Sequence, residues 1–472
     1  MSDIVYSIEQ RPPVGKTLLS AFQQILSILA ATIAVPAIVG HGMSQSAALF
    51  GAGIGTLVYL LITKFKSPVF LGSSFAFLGS MGAAFAGALN AGLVEEVGYI
   101  GLLIGALLAG LVYVVLSIIV KFFGTAWVDK IMPPVVIGPT VAIIGLTLAP
   151  NAVGDLTAGN VLDASQIPVV NPLIALLVGL ITLFATIAFS VFGKKILKMI
   201  PFILGIFVGY LFASIFTIIG NTTGTDALKI IDFSLFESIK WIPDFSFIKA
   251  FANFKEFSDA GVFFKYFGMI ALAYIPVAFV TFSEHIADHK NLSSIVGVDL
   301  LETPGLHRTI LGDGLGSITG AFFGGCPNTT YGESIACTAI SGNTSTITIL
   351  VSSLMAICIA FLGPVVTFFA TVPKCVMGGV CLVLYGFIAV SGLKMLKDVD
   401  LSDNRNIFTI SVILICGVGG LILEFFGITI TEVAFALILG VITNLIVHIH
   451  KPHKKEEIKE DNLEQQGSDT DD

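Results

Sequence analysis

Three acidic side chains lie inside long apolar stretches of the sequence. Glu284 and Asp288 fall in one stretch and Glu333 in another, and no Lys or Arg is close to them in the same helical frames. A charge at the centre of a membrane helix costs about 2.5 to 3.5 kcal/mol on insertion scales. Glu284 and Asp288 are four residues apart and share one face of a helix. We expect these acids to bind a polar solute or to carry protons, unless Asp288 is merely a solvated acid at a helix end.

Two other patterns resemble known sites, but their spacing does not support them. His285, Asp288 and His289 form H-x-x-D-H, which resembles a metal-binding motif, but the acid is shortened and no third ligand is near. The glycine clusters at 51–55 and 312–316 are not G-x-G-x-x-G and follow no strand. We therefore expect no metal and no cofactor, and we assign the glycines to close packing of helices.

Two short motifs occur where apolar stretches are interrupted. Ser73-Ser74-Phe75 follows a break at Ser67-Pro68, and Thr329-Thr330-Tyr331 follows a break at 324–328. Free backbone groups in the middle of a membrane are tolerated where they line a cavity or bind a ligand. These motifs predict a binding site at two broken helices. The alternative is kinked helices in which Ser and Thr bond to their own backbone.

The composition identifies the kind of protein that must position these residues. Of 472 residues, 55% are hydrophobic and 12% are charged, whereas soluble domains carry about 25% charged residues. An ordinary soluble protein is excluded, and a nucleic acid partner is not expected, because the net charge of -8 comes from acids in one connection and the tail. The six cysteines form no paired motif, so neither a disulfide framework nor a zinc site is expected.

Apolar runs near 20 residues, the length that spans a bilayer, predict an all-α polytopic membrane protein. Fourteen spans are expected, at 17–40, 47–63, 67–90, 98–120, 132–150, 172–192, 200–220, 263–287, 306–323, 327–341, 346–370, 376–390, 407–426 and 430–448. Most of the 24 Lys and Arg residues then fall on one side. By the positive-inside rule both termini are expected to be cytoplasmic.

Two internal echoes divide the chain into halves. The segments that begin at Gly138 and Gly379 share glycines seven residues apart, and the two hydroxyl-aromatic motifs repeat at a similar offset. Seven spans per half is an odd number, so the second half enters from the opposite side, as in many secondary transporters. The expected division is a cytoplasmic segment 1–16, a seven-span repeat 17–220, an extracytoplasmic connection 221–262, a second seven-span repeat 263–450 and a polar cytoplasmic tail 451–472.

The motifs together resemble the nucleobase-ascorbate transporter family, and its bacterial uracil-transporting members most. The matching stretches occur in order along nearly the whole chain: Glu9-Gln-Arg-Pro-Pro, Val35-Pro36, Leu71-Gly-Ser-Ser-Phe-Ala-Phe, Ser283-Glu-His, Pro304-Gly-Leu-His-Arg, Pro327-Asn-Thr-Thr-Tyr-Gly-Glu and Val376-Met-Gly-Gly-Val. The resemblance implies two inverted seven-span repeats, a core and a gate domain, two short antiparallel strands in the broken spans, and a homodimer.

The resemblance also implies a function and a set of site residues. The function is import of a nucleobase, uracil first, without enzymatic activity. The family's substrate carboxylates fall on Glu284 and Glu333, and its backbone contacts fall at Phe75, Tyr331 and Gly332. The rings of Phe75 and Tyr331 are suited to cover the faces of a planar base. Proton coupling is assigned to Asp288 together with Glu284, from their place on one helix face.

Departures from the family pattern leave other substrates open. Gln24 stands where uracil transporters often have histidine, and Ser334 stands where an asparagine is common. Asp288 replaces another histidine of the uracil transporters and resembles the acid of purine-transporting relatives, so xanthine or another purine is the alternative. An anion carrier of this fold is disfavoured because the fixed charges are negative. A membrane enzyme would need a nucleophile or metal triad that the sequence lacks, and a passive channel would not need clustered carboxylates.

Overall fold

The computed structural model describes residues 4–448, apart from 164, 166, 195, 258, 426 and 427. The expected polar tail, 451–472, lies outside the described residues. The described chain forms nineteen α-helices and four short strands: α1 Val14–Val39, α2 Gln45–Ile62, β1 Leu71–Ser73, α3 Leu78–Asn90, α4 Gly98–Phe123, α5 Ala126–Ile131, α6 Pro134–Thr147, α7 Ala149–Asp155, α8 Pro172–Phe192, α9 Ile196–Met199, α10 Pro201–Thr223, α11 Ser246–Asn253, α12 Ala260–Val296, α13 Leu306–Gly324, β2 Asn328–Thr330, α14 Gly332–Ser341, α15 Thr346–Ala360, α16 Gly363–Thr371, α17 Lys374–Lys394, α18 Asn404–Val418, β3 Leu423–Phe425, β4 Ile428–Ile430 and α19 Glu432–Val447.

The helices are those of a multi-pass membrane protein. Eight stretches of the described residues are long and apolar enough to cross a bilayer, and α15 with α16 forms a ninth candidate that bends by 81°. Two further apolar helices, α18 and α19, are shorter. The expectation of a mostly helical polytopic fold is confirmed. The count of fourteen spans and the inverted seven-span repeat remain predictions.

The contacts between helices separate two bundles. Helices α1 to α4 pack with α12 to α15, and α2 against α13 is the most extensive pairing. Helices α6, α8 and α10 pack with α17, α18 and α19. We call the first group the site bundle, because it carries every residue predicted to bind substrate or protons, and the second the flanking bundle. The two meet mainly where α12 contacts α6, α19 and β4, and where α1 contacts α10.

Glycines allow α2 and α13 to approach closely at the centre of the site bundle. A Cβ atom on Gly51 would lie 2.4 Å from the carbonyl oxygen of Gly320, and one on Gly55 would lie 2.7 Å from that of Gly316. Side chains at these positions would force the helices apart. The two glycine clusters singled out in the sequence therefore serve helix packing, as predicted.

Helix α12 is longer than the sequence indicated. Its expected end was Ala287, but it continues to Val296 and ends at Gly297, whose φ of 74° is left-handed. The extra turns persist because Leu292 and Val296 are buried on one face. The interpretation of Asp288 as a solvated acid at a helix end is therefore wrong, since two further turns follow it.

The N-terminal segment lies against the turn that follows α14. The Val5 amide donates to the carbonyl of Gly342 at 2.8 Å, and the Thr344 amide donates to the carbonyl of Tyr6 at 2.9 Å. This contact marks the side of the molecule at which α1 begins. We call it the N-terminal side, and we call the side at which α1 ends, near Val39, the opposite side.

Candidate functional site

Two short strands meet where the apolar stretches were predicted to break. β1 and β2 pair antiparallel, with Leu71 opposite Thr330 and Ser73 opposite Asn328. Both strands are fully buried. The pairing satisfies backbone groups that no helix satisfies at these positions, which is the condition for irregular backbone at membrane depth. The broken helices and the antiparallel pair expected from the sequence are confirmed.

Each strand leads into the start of a helix. Phe75 lies between β1 and α3, and Tyr331 lies between β2 and α14. No side chain caps either helix at its N-terminus. The Leu78 amide at the start of α3 donates to the carbonyl of Phe75 at 3.1 Å, and the first-turn N–H groups of α14 are left without a capping side chain. Gly332, the first residue of α14, is exposed, and a Cβ atom there would meet nothing within 4 Å. The start of α14 therefore borders open space.

The predicted acids converge beside this start. Glu284, Asp288 and Glu333 are all half-buried. Glu284 interacts electrostatically with both Asp288 and Glu333, although these lie on two different helices. The Thr330 hydroxyl at the end of β2 donates to Asp288 Oδ2 at 2.6 Å. The structure therefore brings three carboxylates together, two from α12 and one from α14. The sequence suggested this arrangement but did not establish it.

The two predicted aromatic residues have different surroundings. The Phe75 ring contacts Tyr385 of α17 edge to face, with centroids 5.6 Å apart, so an aromatic side chain of the flanking bundle closes this end of the site. The Tyr331 ring lies over Gly72, and its hydroxyl donates to the carbonyl of Ser73 at 2.7 Å. Tyr331 therefore contributes its backbone to the site more readily than its ring face. Tyr385 is a candidate that the sequence motifs did not reveal.

Two departures from the family pattern contact each other. The Gln24 side chain donates to the Ser334 carbonyl at 3.2 Å and also contacts the Ser334 hydroxyl. The Phe70 amide donates to the same hydroxyl at 3.2 Å. Both changed residues thus belong to one contact, which fixes α14 against α1 one residue beyond Glu333.

A buried polar network behind the acids was missed by the sequence reasoning. His285 Nδ1 lies 2.7 Å from Asp313 Oδ2, and its Nε2 lies 3.0 Å from the Thr309 hydroxyl. Asp313 lies within the glycine cluster at 312–316, and an acid inside the expected span 306–323 is a signal of a buried polar site in itself. His285 and Asp313 have side chains with no exposed area. The histidines of the H-x-x-D-H pattern therefore contact other groups of this chain, and His289 continues the network.

The second histidine extends this network toward the first half of the chain. His289 Nδ1 donates to the carbonyl of His285 at 2.9 Å, and the two rings stack with centroids 4.0 Å apart. The Tyr59 hydroxyl lies 2.8 Å from His289 Nε2 and 2.7 Å from Ser67 Oγ. The network joins α12 to α2, α13 and the segment before β1, so it fixes the helix that carries Glu284.

The site is open along one face of α14. Gly332, Ala336 and Ile340 recur every four residues and are exposed, so they form one stripe along the helix. The stripe leads from the acids to the turn at Gly342, which lies on the N-terminal side.

Sequence comparisons match the chain to a family of permeases. Residues 15–424 match the sequence model of a family described as Permease family. A uracil permease of Bacillus caldolyticus is 39% identical over 466 residues, covering 98% of this chain and 99% of that protein. A uracil permease of Bacillus subtilis strain 168 is 40% identical over 442 residues, covering 93% of each chain.

One solved structure shares the fold at low identity. The transmembrane domain of a cyanobacterium bicarbonate transporter, BicA, superposes with a TM-score of 0.60 at 15% identity, covering 91% of this chain and 96% of that one. At this identity the likeness concerns the fold alone.

Proposed function

The chain belongs to the permease family whose sequence model it matches, and we propose that it imports a nucleobase, uracil in the first place, together with protons. The observation that carries the proposal is the convergence of Glu284 and Glu333 beside the uncapped start of α14. Both relatives compared above are named uracil permeases. Transport, and not an enzymatic reaction, is the activity that this family membership supports.

The chemistry of the site fits a neutral planar ring. Uracil has two N–H donors and two carbonyl acceptors, so carboxylates accept from the ring while first-turn N–H groups donate to it. Glu284 and Glu333 are assigned the first role, and the backbone at Phe75, Tyr331 and Gly332 the second. The Phe75 ring, held by Tyr385, packs against one ring face.

Asp288 is assigned to the coupling proton, with Glu284 as its neighbour in the relay. The Asp288 carboxylate accepts a hydrogen bond from Thr330, which holds it against the strand pair, and it interacts electrostatically with Glu284. A proton moving down 100 mV releases about 2.3 kcal/mol. At about 1.4 kcal/mol per tenfold, this supports roughly fiftyfold accumulation per proton.

Transport then requires the site bundle to act as the core and the flanking bundle as the gate, with the core moving to expose the site alternately.

We propose that both termini are cytoplasmic, from the distribution of Lys and Arg. The family resemblance implies that the membrane is the bacterial inner membrane and that two copies form a homodimer. Cysteines at Lys397 and Asp155 should label from opposite faces of the membrane, and intersubunit cross-linking tests the dimer.

Two alternatives differ in substrate. Xanthine or another purine is favoured by Asp288, an acid that resembles those of purine-transporting relatives. An anion carrier of the same fold is the weaker alternative, because three clustered carboxylates repel an anion.

One uptake experiment separates these substrates. Labelled uracil, xanthine and bicarbonate are offered to cells that lack their own carriers and express this chain, with and without a protonophore. We expect saturable uracil uptake that the protonophore abolishes. Uptake of xanthine alone would reassign the substrate, and uracil uptake that ignores the protonophore would remove proton coupling.

A further inference from the structure

A cavity lies between the two bundles on the opposite side of the molecule. Its volume is about 570 Å³, and it is lined by the last turns of α1, by α7 and by the linker from α16 to α17. Asn151 and Asp155 of α7, Lys374 at the start of α17 and Gln45 at the start of α2 provide its polar groups. Cavities of this size class hold small molecules.

The cavity is separate from the site at the strand pair. Gln24 of α1 contacts Ser334 beside the acids, whereas Ala37 of the same helix lines the cavity. Thirteen residues of helix at 1.5 Å each put these two levels about 20 Å apart. The exposed stripe of α14 leads from the acids to the N-terminal side, so the cavity lies beyond the other end of the site.

The polar wall of the cavity is held in place by hydrogen bonds. The Asn160 side chain donates to the carbonyl of Val372 at 3.1 Å and accepts from the amide of Lys374 at 3.2 Å. The Cys375 amide donates to the carbonyl of Ala158 at 2.9 Å. These bonds fix the start of α17 against the loop after α7, so the backbone that carries Lys374 has a defined place.

The chemistry of the wall is suited to a ligand with both donors and acceptors. The Asp155 carboxylate accepts, the Lys374 ammonium donates, and the Asn151 amide does both. Gln45 Oε1 is buried and has no hydrogen-bond partner among the described residues. One acid and one base balance in charge, so the cavity favours a neutral polar molecule over an ion.

We propose that this cavity is an outer binding site for a neutral planar heterocycle of the nucleobase class, occupied before the substrate reaches Glu284 and Glu333. The inference rests on the proposed function and on the proposed orientation, in which the opposite side faces outward. Its apolar wall, with Ala37, Phe369 and Met377, covers the ring, while the polar groups bind the ring edge.

Protection of an introduced cysteine tests the site directly. Asn151→Cys is made in a background in which Cys358 and Cys416, the native cysteines that are not buried, are serine. Glu333→Gln is added to disable the inner site. We expect 1 mM uracil to slow labelling by a membrane-impermeant maleimide at least fivefold. Ile167→Cys, 59% exposed and outside the cavity lining, is the control and should label at the same rate with and without uracil.

The outcomes distinguish this inference from the proposed function, because uracil uptake is measured in parallel with Glu333 intact. Uptake without protection overturns the outer site alone. Protection that disappears with Glu333→Gln also overturns it, since the effect then comes from the inner site. Protection without uptake supports the outer site and overturns the proposed function, and absence of both overturns both.

A kinetic measurement gives independent support. Lys374→Met combined with Asp155→Asn removes both charges from the cavity and leaves the inner acids untouched. We expect the KM for uracil uptake to rise about tenfold with the maximal rate unchanged, because capture at low concentration is impaired. An unchanged KM would contradict the proposal.

Discussion

In the proposed site, Glu284 and Glu333 are the residues on which recognition of the base depends most. We predict that Glu284→Gln and Glu333→Gln each weaken uracil binding by at least tenfold in purified protein. An amide can present a donor to a ring donor, and an unpaired buried polar group costs about 1 to 3 kcal/mol. Glu432→Gln, in the first turn of α19, is the matched control. Binding within a fewfold of the unmodified chain would move the substrate site elsewhere.

The role proposed for Asp288 allows substrate binding to be tested separately from proton coupling. We predict that Asp288→Asn leaves uracil affinity within a few-fold and preserves counterflow exchange, but abolishes accumulation against a gradient, because an amide carries no proton. Thr330→Val, which removes only the hydrogen bond to Asp288, should retain accumulation. The assay is labelled uracil in proteoliposomes with an imposed pH gradient. Normal accumulation by Asp288→Asn would leave Glu284 or Glu333 as the proton carrier.

The pair of His285 and Asp313 stabilises the fold from behind the site. We predict that His285→Leu and Asp313→Leu each lower the melting temperature of the purified protein, since removing one partner of a buried hydrogen bond leaves the other unpaired, which costs about 1 to 3 kcal/mol. The double variant should be more stable than the sum of the two single effects indicates. If the effects of the two single variants on stability add exactly, the 2.7 Å contact between His285 and Asp313 contributes nothing to stability.

The acids of the site could be predicted from the sequence because a charge in an apolar stretch is a local signal. Their partners could not, because Asp313, Thr330 and Tyr385 reach the site through the tertiary arrangement of different elements. The contact between Gln24 and Ser334 joins residues 310 positions apart. In the sequence, Gln24 and Ser334 could each be seen only as a departure from the family pattern. Nothing in the sequence indicated that the two residues contact each other.

At the scale of elements, the packing of α2 on α13 supports the strand pair. We predict that Gly51→Ala destabilises the protein by about 1 to 3 kcal/mol, since its methyl group would meet backbone atoms of Gly320 and overpacking costs this much. Gly268→Ala in α12, where nothing lies within 4 Å, is the control. It should be neutral or stabilising, because alanine favours helix by about 1 kcal/mol over glycine.

Thermal unfolding of the two glycine variants is measured in the same detergent. If packing determines stability, Gly51→Ala should lower the melting temperature, whereas Gly268→Ala should leave it unchanged or raise it. Equal effects would show that helix propensity alone matters at both positions.

Hydropathy predicted the presence of these helices well, but it could not predict the end of α12. The residues beyond Ala287 are polar in sequence, and the helix continues because buried Leu292 and Val296 pack against other elements.

For the whole molecule, the proposed transport cycle requires the two bundles to move against each other. Sequence patterns predicted a membrane protein with internal symmetry, but the division into bundles depends on contacts such as α12 with α6 and α19, between distant parts of the chain. The pair at Gly79 in α3 and Thr431 at the start of α19 crosses this division. A Cβ atom on Gly79 would lie 3.9 Å from the Cβ atom of Thr431, and disulfides join Cβ atoms about 3.5 to 4.5 Å apart.

We predict that Gly79→Cys with Thr431→Cys forms a disulfide under mild oxidation and stops uracil uptake, while uracil binding to the purified protein persists. The bond would hold the site bundle against the flanking bundle in one arrangement and leave the acids in place. Reduction should restore uptake, and each single cysteine variant should transport normally before and after oxidation. Because the cross-link is measured by mass spectrometry independently of transport, full uptake with the bond formed would mean that this contact does not move during the cycle. The alternation would then have to occur elsewhere between the bundles, with the contacts of α1 and α10 as the next position to cross-link.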